Sequence, residues 1–256
     1  MEPSPTPSPG VTPAMVATPN AGAEVDHEHH HRRIQGGAAR AAVFGISDGL
    51  VSNVSLILGV AGANPAPGVV RLAGLAGLVG GAFSMAAGEY VSMKAQSELL
   101  ERELDLERIE IRRRPENERR ELAAIYRERG VAPDTADELA TEMMRDPELA
   151  LETHAREELG IDPNELGSPV GASLSSFFAF AFGAILPLVP WFFGKGTAAT
   201  VASVVVGALA AVGIGVALSA FTGRSAVKSA VRQLLIATAA AGVTFAVGNA
   251  VGVGGL

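Results

Sequence analysis

Two pairs of glutamates with helical spacing offer the most direct chemistry in this sequence. Glu107 and Glu110 are three residues apart, and Glu118 and Glu121 repeat that spacing beyond Pro115. Residues three apart lie on one face of an α-helix, so each pair presents two carboxylates together. Two such helices that fold back on each other could chelate divalent cations. The alternative is a solvated charged face, because interleaved arginines could pair with these glutamates: Arg102, Arg108, Arg119 and Arg120.

The same region contains softer and additional candidate ligands. Met143 and Met144 are adjacent thioethers, and His154 is followed by Glu157 and Glu158. Taken singly, each of these side chains more often serves packing or a solvated surface than metal binding. We therefore treat them as additional ligands rather than as a site of their own.

A further carboxylate, Asp48, is the one charged residue of an apolar segment at about 41–63. A charge at bilayer depth costs about 2.5 kcal/mol or more, so such a residue normally faces the bundle interior or a wet cavity. We therefore interpret Asp48 as part of an ion pathway. The alternative is a position near the membrane interface, where Ser47, Ser52 or Asn53 would satisfy the carboxylate.

A second apolar segment carries Met85 and Glu89, which are four residues apart and therefore share a helix face. A thioether beside a carboxylate suits a borderline or soft divalent ion better than Mg²⁺ or Ca²⁺, which prefer oxygen ligands alone. The alternatives are that Met85 packs in the core and that Glu89 lies near the lipid headgroups.

The elements that must position these residues are apolar segments long enough to cross a bilayer. At about 1.5 Å per residue, each of them can cross a hydrocarbon core about 30 Å thick. Buried helices of a soluble protein could imitate one or two such segments, but not five. The sequence therefore predicts an all-α, polytopic membrane protein with five transmembrane helices, at about 41–63, 69–93, 170–193, 197–222 and 233–253.

Most of the charge lies between the second and third spans. Residues 94–166 hold 21 of the 27 acids and 12 of the 20 Lys and Arg residues, a formal charge of −9 against +2 for the remainder. Such acidity suits cations and argues against nucleic acid as a partner. The predicted organisation is a disordered tail at 1–36, spans one and two at 37–93, an acidic helical metal-binding domain at 94–167, and spans three to five at 168–256.

Glycine and proline divide the acidic domain into about four helical pieces. Neither residue occurs between Glu89 and Pro115, which predicts that the second span continues into the domain as one long helix. Proline opens helices and glycine closes them, while aspartate caps them. With Asp134 and Asp146 as caps, the predicted helices are 115–130, 134–144 and 146–160.

The distribution of Lys and Arg predicts the orientation of the spans. Cytoplasmic loops carry an excess of these residues. We therefore expect the N-terminus and the acidic domain in the cytoplasm and the C-terminus outside, with only Arg71 and Lys195 on the opposite face. The residues on the cytoplasmic side precede span one or lie between spans four and five: Arg32, Arg33, Arg40, Arg224, Lys228 and Arg232. Pro187 and Pro190 are expected to kink the third span.

The N-terminal tail and the residue types of the chain further limit which functions are possible. The tail is rich in Pro, Ser and Thr, which predicts disorder and no cleavable signal peptide. Its histidines at 27 and 29–31 could bind transition metals weakly, or they could be a flexible solvated run.

The chain has no cysteine, so disulfides and thiolate metal sites are excluded. No nucleophile–base pair, phosphate loop or Glu-x-x-His motif is found, so we do not expect an enzyme.

Two segments resemble the first two spans of the vacuolar iron transporter family: Ala42-Val-Phe-Gly-Ile-Ser-Asp48-Gly-Leu-Val-Ser-Asn53 and Gly81-Ala-Phe-Ser-Met85-Ala-Ala-Gly-Glu89-Tyr-Val-Ser92. The resemblance covers about residues 38–254. It implies a five-span homodimer in the lipid bilayer that exchanges Fe²⁺ or Mn²⁺ for protons, with a cytoplasmic metal-binding domain. The pathway aspartate and methionine of the family match Asp48 and Met85, and Glu89 is adjacent on the same face.

The resemblance also implies metal ligands in the acidic domain. The four glutamates of the family's domain match those at 107, 110, 118 and 121, at the same spacings from Met85. Plant members place a methionine pair and then a glutamate on the third helix. An alignment that continues from the glutamates without a gap places His154, Ala155 and Glu158 at these positions. Either His154 substitutes for a thioether, or the alignment shifts and the methionine pair is Met143 and Met144. We rank Glu158 above His154, and His154 above the methionines.

These observations together predict a transporter that exports Fe²⁺ from the cytoplasm in exchange for protons. Mn²⁺ is the second candidate ion, and Zn²⁺ and Co²⁺ suit the same ligands. Ala-, Gly- and Arg-rich usage suggests a bacterial chain in the plasma membrane. Two alternatives remain: a passive divalent-cation channel, and a membrane-tethered iron sensor or storage protein. Asp48 argues against the tether, which needs no carboxylate within the membrane.

Overall fold

The structure is a computed structural model that describes residues 37–163 and 167–253. The predictions for the tail at 1–36, including its histidines, lie outside the described residues. Within those residues every regular element is helical. The helices are α1 (Gly37–Gly62), α2 (Pro67–Arg113), α3 (Pro115–Glu128), α4 (Pro133–Met143), α5 (Pro147–Glu157), α6 (Pro169–Ile185), α7 (Pro190–Phe193), α8 (Gly196–Thr222) and α9 (Ala226–Val253), with a 3₁₀ turn at Leu186–Leu188.

Five helices of the described chain are long and apolar enough to cross a membrane, which agrees with the predicted number. They are α1, α2, α6 with its 3₁₀ turn, α8 and α9. The apolar window of α1 is 44% buried, whereas those of α2 and α9 are 17% and 11% buried. Helix α1 is therefore the centre of the bundle, and the other two helices present most of their apolar surface outward, as lipid-facing helices do.

Close backbone contact holds α1 against α6. A Cβ atom added at Gly49 would lie 2.1 Å from the carbonyl oxygen of Phe180, and one added at Gly183 would lie 2.2 Å from that of Ile46. No side chain fits at either position, so glycine allows the two backbones to meet. This contact fixes the position of α1, the helix that carries Asp48.

The prediction of one long helix from the second span into the acidic domain is confirmed. Helix α2 has 47 residues and is therefore about 70 Å long. It ends at Arg113, and Pro115 begins α3 after the non-helical residue Arg114, whose φ is −137° and ψ is 48°. The remainder of the domain packs around Leu122, Ala123 and Ala140 between α3 and α4.

Four predicted boundaries within the acidic domain meet different outcomes. Gly130 closes α3 with a φ of +92°, and Asp146 caps α5 by accepting hydrogen bonds from two backbone amides, as predicted. The capping role of Asp134 is wrong: Pro133 begins α4, Ala132 is its N-cap, and the helix ends at Met143. Pro133 fixes a helical φ one residue earlier, so the aspartate falls inside the first turn. Helix α5 ends at Glu157, three residues before Gly160.

Two predictions about the later spans also need correction. Lys228 and Arg232 lie within α9, which begins at Ala226, and not between the spans. The helix extends beyond its apolar part because no glycine or proline interrupts residues 226–241. The third span is divided rather than kinked: α6 ends at Ile185, and the 3₁₀ turn separates it from α7. Pro187 lies within that turn and Pro190 begins α7, and each of them lacks a backbone donor.

Candidate metal-binding sites

A buried group of three ligands lies where α2, α3 and α5 meet. Glu107, Glu118 and His154 each offer one ligand atom, and these atoms lie within 4.8 Å of one another. The two glutamates are 5% exposed and the histidine is 0% exposed. We name these three residues the buried cluster. It contains one residue from each of the two predicted glutamate pairs and the histidine predicted from ungapped spacing.

The buried cluster depends on the turn between α2 and α3. Glu107 lies 14 residues beyond Met93, hence about 21 Å beyond the apolar part of α2. The break at Arg114 reverses the chain, so that Glu118 in the first turn of α3 returns towards Glu107. A carboxylate in a first helical turn interacts favourably with the helix dipole. Helix α5 then brings His154 between small buried residues, Ala150 and Ala155.

Backbone oxygens orient the imidazole of His154. Its Nδ1 lies 2.9 Å from the carbonyl oxygen of Ala150, and its Nε2 lies 3.3 Å from that of Glu118. With the proton on Nδ1, the ring donates to Ala150 and leaves a lone pair on Nε2. Metal-binding histidines are held in the same way, with the second ring nitrogen donating to a carbonyl or carboxylate.

One carboxylate oxygen of the buried cluster has no partner among the described residues. The Oε1 atom of Glu107 is buried and makes no hydrogen bond there. The pKa of Glu107 is raised to about 7, mainly by burial; His154 opposes the rise, and the negative charges of Glu158, Glu118 and Glu110 contribute to it. An unpaired buried carboxylate is costly in the absence of a counter-charge, and a cation would supply that charge.

The exposed glutamates surround the buried cluster. Burial raises the pKa of Glu118, with Glu121 and Glu110 adding to the effect. Burial also raises the pKa of Glu158, again with contributions from Glu121 and Glu110. Glu110, Glu121 and Glu158 are themselves exposed at the surface. The structure thus brings all five predicted glutamates and His154 within electrostatic range of one another.

Two of the four interleaved arginines, Arg108 and Arg119, pair with other acids. Arg108 contacts Asp105 at 2.5 Å. Arg119 lies 3.4 Å from Glu116 and 3.3 Å from Asp137. In the described part of the chain, the ion pairs of these two arginines therefore leave the glutamate pairs available. This arrangement favours a chelating site over a solvated face of mutually paired charges.

The two methionines occupy a different part of the domain. Met143 packs against the hydrophobic cluster of Leu122, Ala123 and Ala140. Met144 is the C-cap of α4, and its amide donates to the carbonyl oxygen of Ala140. The contacts of Met143 are those of a core side chain, as the sequence allowed for a methionine taken singly.

A second candidate site is a cavity of about 280 Å³ between α1 and α2. Asp48 lines it from α1 and Met85 from α2. The hydroxyl of Ser52 donates to Oδ1 of Asp48 at 2.9 Å, so one neighbouring serine does contact the carboxylate. Ser47 instead accepts a hydrogen bond from Gln233 at 2.6 Å. The other lining residues are Asn53, Leu56, Gly77, Gly81, Ser84 and Phe180.

Glu89 is separate from this cavity. It lies about 6 Å further along α2 than Met85, towards the acidic domain. Its carboxylate forms an ion pair with Arg40 of α1 at 2.9 Å, and the two side chains are 14% and 62% exposed. Sequence reasoning missed this pair because the partners are 49 residues apart. A lone arginine at the start of an apolar helix was the available signal.

Comparison with known proteins gives matches that include both sites. The model of the VIT family matches residues 39–249. A vacuolar iron transporter of Acanthamoeba castellanii is 40% identical over 166 residues, which cover 64% of this chain and 60% of that protein. Vacuolar iron transporter 1 of Eucalyptus grandis is 30% identical over 238 residues, covering 91% of this chain and 96% of that protein. Vacuolar iron transporter 1 of Arabidopsis thaliana is 29% identical, covering 89% and 91%.

Proposed function

This chain belongs to the VIT family, and we propose that it transports Fe²⁺ out of the cytoplasm in exchange for protons. Family membership and the five apolar helices support a membrane transporter of metal ions rather than an enzyme. The observation that carries the proposal is that one helix, α2, contributes to both candidate sites. Met85 and Glu107 are 22 residues apart on it, hence about 33 Å.

Metal would first be captured by the acidic domain. Carboxylates and an imidazole suit Fe²⁺, and they also accept Mn²⁺, Zn²⁺ and Co²⁺. The exposed glutamates around the buried cluster raise the local concentration of cations, and Glu107, Glu118 and His154 provide the ligands. We assign Glu110, Glu121 and Glu158 to further coordination at the same site.

Capture of metal at the buried cluster is coupled to protons. Burial raises the pKa of Glu107 to about 7, so this carboxyl is partly protonated at neutral pH. A carboxylate must lose its proton to bind metal, and metal binding therefore releases protons. Through this competition, protons oppose metal at the site, as an exchange of the two ions requires.

The ion would then cross the bundle through the cavity between α1 and α2. Glu89 lies between this cavity and the acidic domain along α2, where Arg40 holds it. Asp48 and Met85 supply a carboxylate and a thioether inside the cavity. We place the acidic domain in the cytoplasm of a bacterial cell, with the C-terminus outside, because of the Lys and Arg distribution. A homodimer completes the proposal, as the family resemblance implies.

Flux measurements in proteoliposomes test the proposal. The interior would contain a metal indicator and a pH indicator, and the variants would be Asp48→Ala and the control Asp134→Ala, which removes an exposed acid of α4. We expect Fe²⁺ entry with opposing proton movement, abolished by Asp48→Ala alone. Metal flux without proton movement would favour a channel. No flux, together with Fe²⁺ binding to the purified full chain, would favour a tethered sensor.

A further inference from the structure

The cavity between α1 and α2 holds a polar atom that the fold leaves without a partner. Asn53 is 1% exposed, and its Oδ1 makes no hydrogen bond within the described residues. Its Nδ2 donates to the carbonyl oxygen of Ala184 on α6 at 2.6 Å. This bond fixes the amide, because the reverse orientation would set two acceptor oxygens at that distance. The free oxygen therefore faces away from α6.

The free oxygen faces α2, the opposite wall of the cavity. A Cβ atom added at Gly77 of α2 would lie 2.8 Å from Oδ1 of Asn53. Both residues line the cavity that Asp48 and Met85 also line. The missing side chain at Gly77 thus leaves room for the amide oxygen between the two helices.

A buried acceptor without a donor costs free energy comparable to a lost hydrogen bond. Amide oxygens are also common ligands of divalent cations, alongside carboxylates. A cation in the cavity would satisfy the oxygen that the protein itself leaves unpaired. A neutral ligand would do so without adding negative charge, so the ion would be held less tightly than by a second carboxylate.

We propose that Oδ1 of Asn53 is a ligand of the transported divalent metal ion. Asn53 lies five residues beyond Asp48 along α1, hence about 7.5 Å further from the acidic domain. The ion passes from Asp48 and Met85 to this neutral oxygen on its way out. The inference rests on the proposed transport function and adds a residue to its pathway.

The test compares Asn53→Leu with wild type in proteoliposomes, using initial rates of Fe²⁺ entry over a range of metal concentrations. Leucine is close to asparagine in size and has no oxygen. The expected result is a loss of about tenfold or more in the rate at low metal concentration, since outer-shell ligand partners alone commonly cost that much. Fe²⁺ binding at the buried cluster of the purified full chain should stay unchanged. A wild-type rate for Asn53→Leu would overturn the proposal.

Thr244→Val is the matched control for the loss of an inter-helix hydrogen bond. Thr244 of α9 donates to the carbonyl oxygen of Ser55 on α1 at 2.7 Å, outside the cavity. Valine removes that bond and keeps the shape of the threonine side chain. If anchoring of α1 were the whole role of Asn53, this variant would lose flux to the same extent, which would refute a ligand role.

The ratio of Fe²⁺ to Mn²⁺ transport separates a ligand from a structural role. Mn²⁺ depends on oxygen ligands more than Fe²⁺ does, while the thioether of Met85 serves Fe²⁺ better. Asn53→Leu should therefore lose Mn²⁺ flux more than Fe²⁺ flux. A defect in folding or anchoring would lower both in proportion, and that outcome would refute the assignment.

A second pair of variants keeps the test decisive if Asn53→Leu does not fold. Gly77→Ala leaves the bond from Asn53 to Ala184 chemically intact, and its Cβ crowds both Oδ1 and the flexible end of Leu56, whereas a Cβ atom at Gly80 meets nothing within 4 Å. We expect Gly77→Ala to slow Fe²⁺ entry and Gly80→Ala to leave it unchanged. Equal rates for the two variants would overturn the proposal.

The result also separates this inference from the proposed function. Absence of flux in wild type, or full flux in Asp48→Ala, would refute both. Flux that Asp48→Ala abolishes, with a wild-type rate and a wild-type metal ratio in Asn53→Leu, would refute the role of Asn53 alone.

Discussion

Replacing Glu107 by glutamine should stabilise the metal-free protein, and only at high pH. Burial raises the pKa of Glu107 from 4.5 to about 7. A pKa raised by one pH unit corresponds to about 1.4 kcal/mol, so ionising this carboxyl in the folded state costs at most about 3.5 kcal/mol. Because the folded-state pKa lies above the unfolded one, no cost is present below pH 4.5, and stability is lost as the pH rises to about 7.

Glu107→Gln keeps the shape of the side chain and removes the titration. Above pH 7 we expect the metal-free variant to unfold at a higher temperature than wild type, by an amount equivalent to at most about 3.5 kcal/mol. At pH 4.5 the two proteins should unfold alike. The burial that raises the pKa of Glu118 and Glu158 acts in the same direction, so metal-free wild type should also lose stability from pH 5 to pH 8.

The assay is thermal unfolding of the purified full chain in detergent with a chelator, at pH 4.5 and pH 8. Glu138→Gln, which changes an exposed glutamate of α4, is the matched control and should show no pH-dependent difference. Addition of Fe²⁺ at pH 8 should make the unfolding temperature of wild type higher than that of Glu107→Gln, because metal binding stabilises wild type more than the variant. A Glu107→Gln protein that is destabilised equally at both pH values would refute the assignment of this group as a strained, unpaired carboxylate.

Three further predictions concern single side chains. His154→Gln should weaken Fe²⁺ binding to the purified full chain about tenfold or more, because the imidazole nitrogen is lost; calorimetry under anaerobic conditions measures it. Arg40→Gln should change stability by less than about 1 kcal/mol, since the arginine is exposed, yet lower the metal concentration for half-maximal flux, since Glu89 is freed. Gly49→Ala should sharply lower the unfolding temperature, because its Cβ would lie 2.1 Å from a backbone oxygen of α6, whereas Gly213→Ala meets nothing within 4 Å.

Each of these three predictions has a result that contradicts it. Unchanged Fe²⁺ affinity in His154→Gln would remove the histidine from the ligand set and favour Glu158 in its place. An unchanged flux curve for Arg40→Gln would mean that Glu89 does not contact the ion. Equal stability of Gly49→Ala and its control Gly213→Ala would mean that the contact between α1 and α6 tolerates a side chain.

Local sequence signals determined most of the helices. The five spans follow from the length of apolar segments, and the continuity of α2 follows from the absence of glycine and proline up to Pro115. The start of α3 and the cap at Asp146 depend on backbone chemistry within a few residues. Where several local signals competed, prediction failed, as at Asp134 beside Pro133 and in the third span with its two prolines.

The sequence also determined which side chains could bind a cation, through the spacing of the glutamates at 107, 110, 118 and 121 and through the isolated charge of Asp48. It did not determine which of them are buried. Glu107 is buried and Glu110 is exposed although both belong to the same pair, and only the packing of α3 and α5 on α2 separates them. The raised pKa of Glu107 follows mainly from the burial that this packing creates.

Contacts between residues distant in the chain were decided by tertiary structure alone. Arg40 meets Glu89 across 49 positions, and Asn53 meets Ala184 across 131. Helix formation depends on hydrogen bonds four residues apart, so a single sequence predicts it well. Which polar atom is left unpaired in a cavity depends on how several helices pack together, and the free oxygen of Asn53 becomes visible only once α1, α2 and α6 are in place.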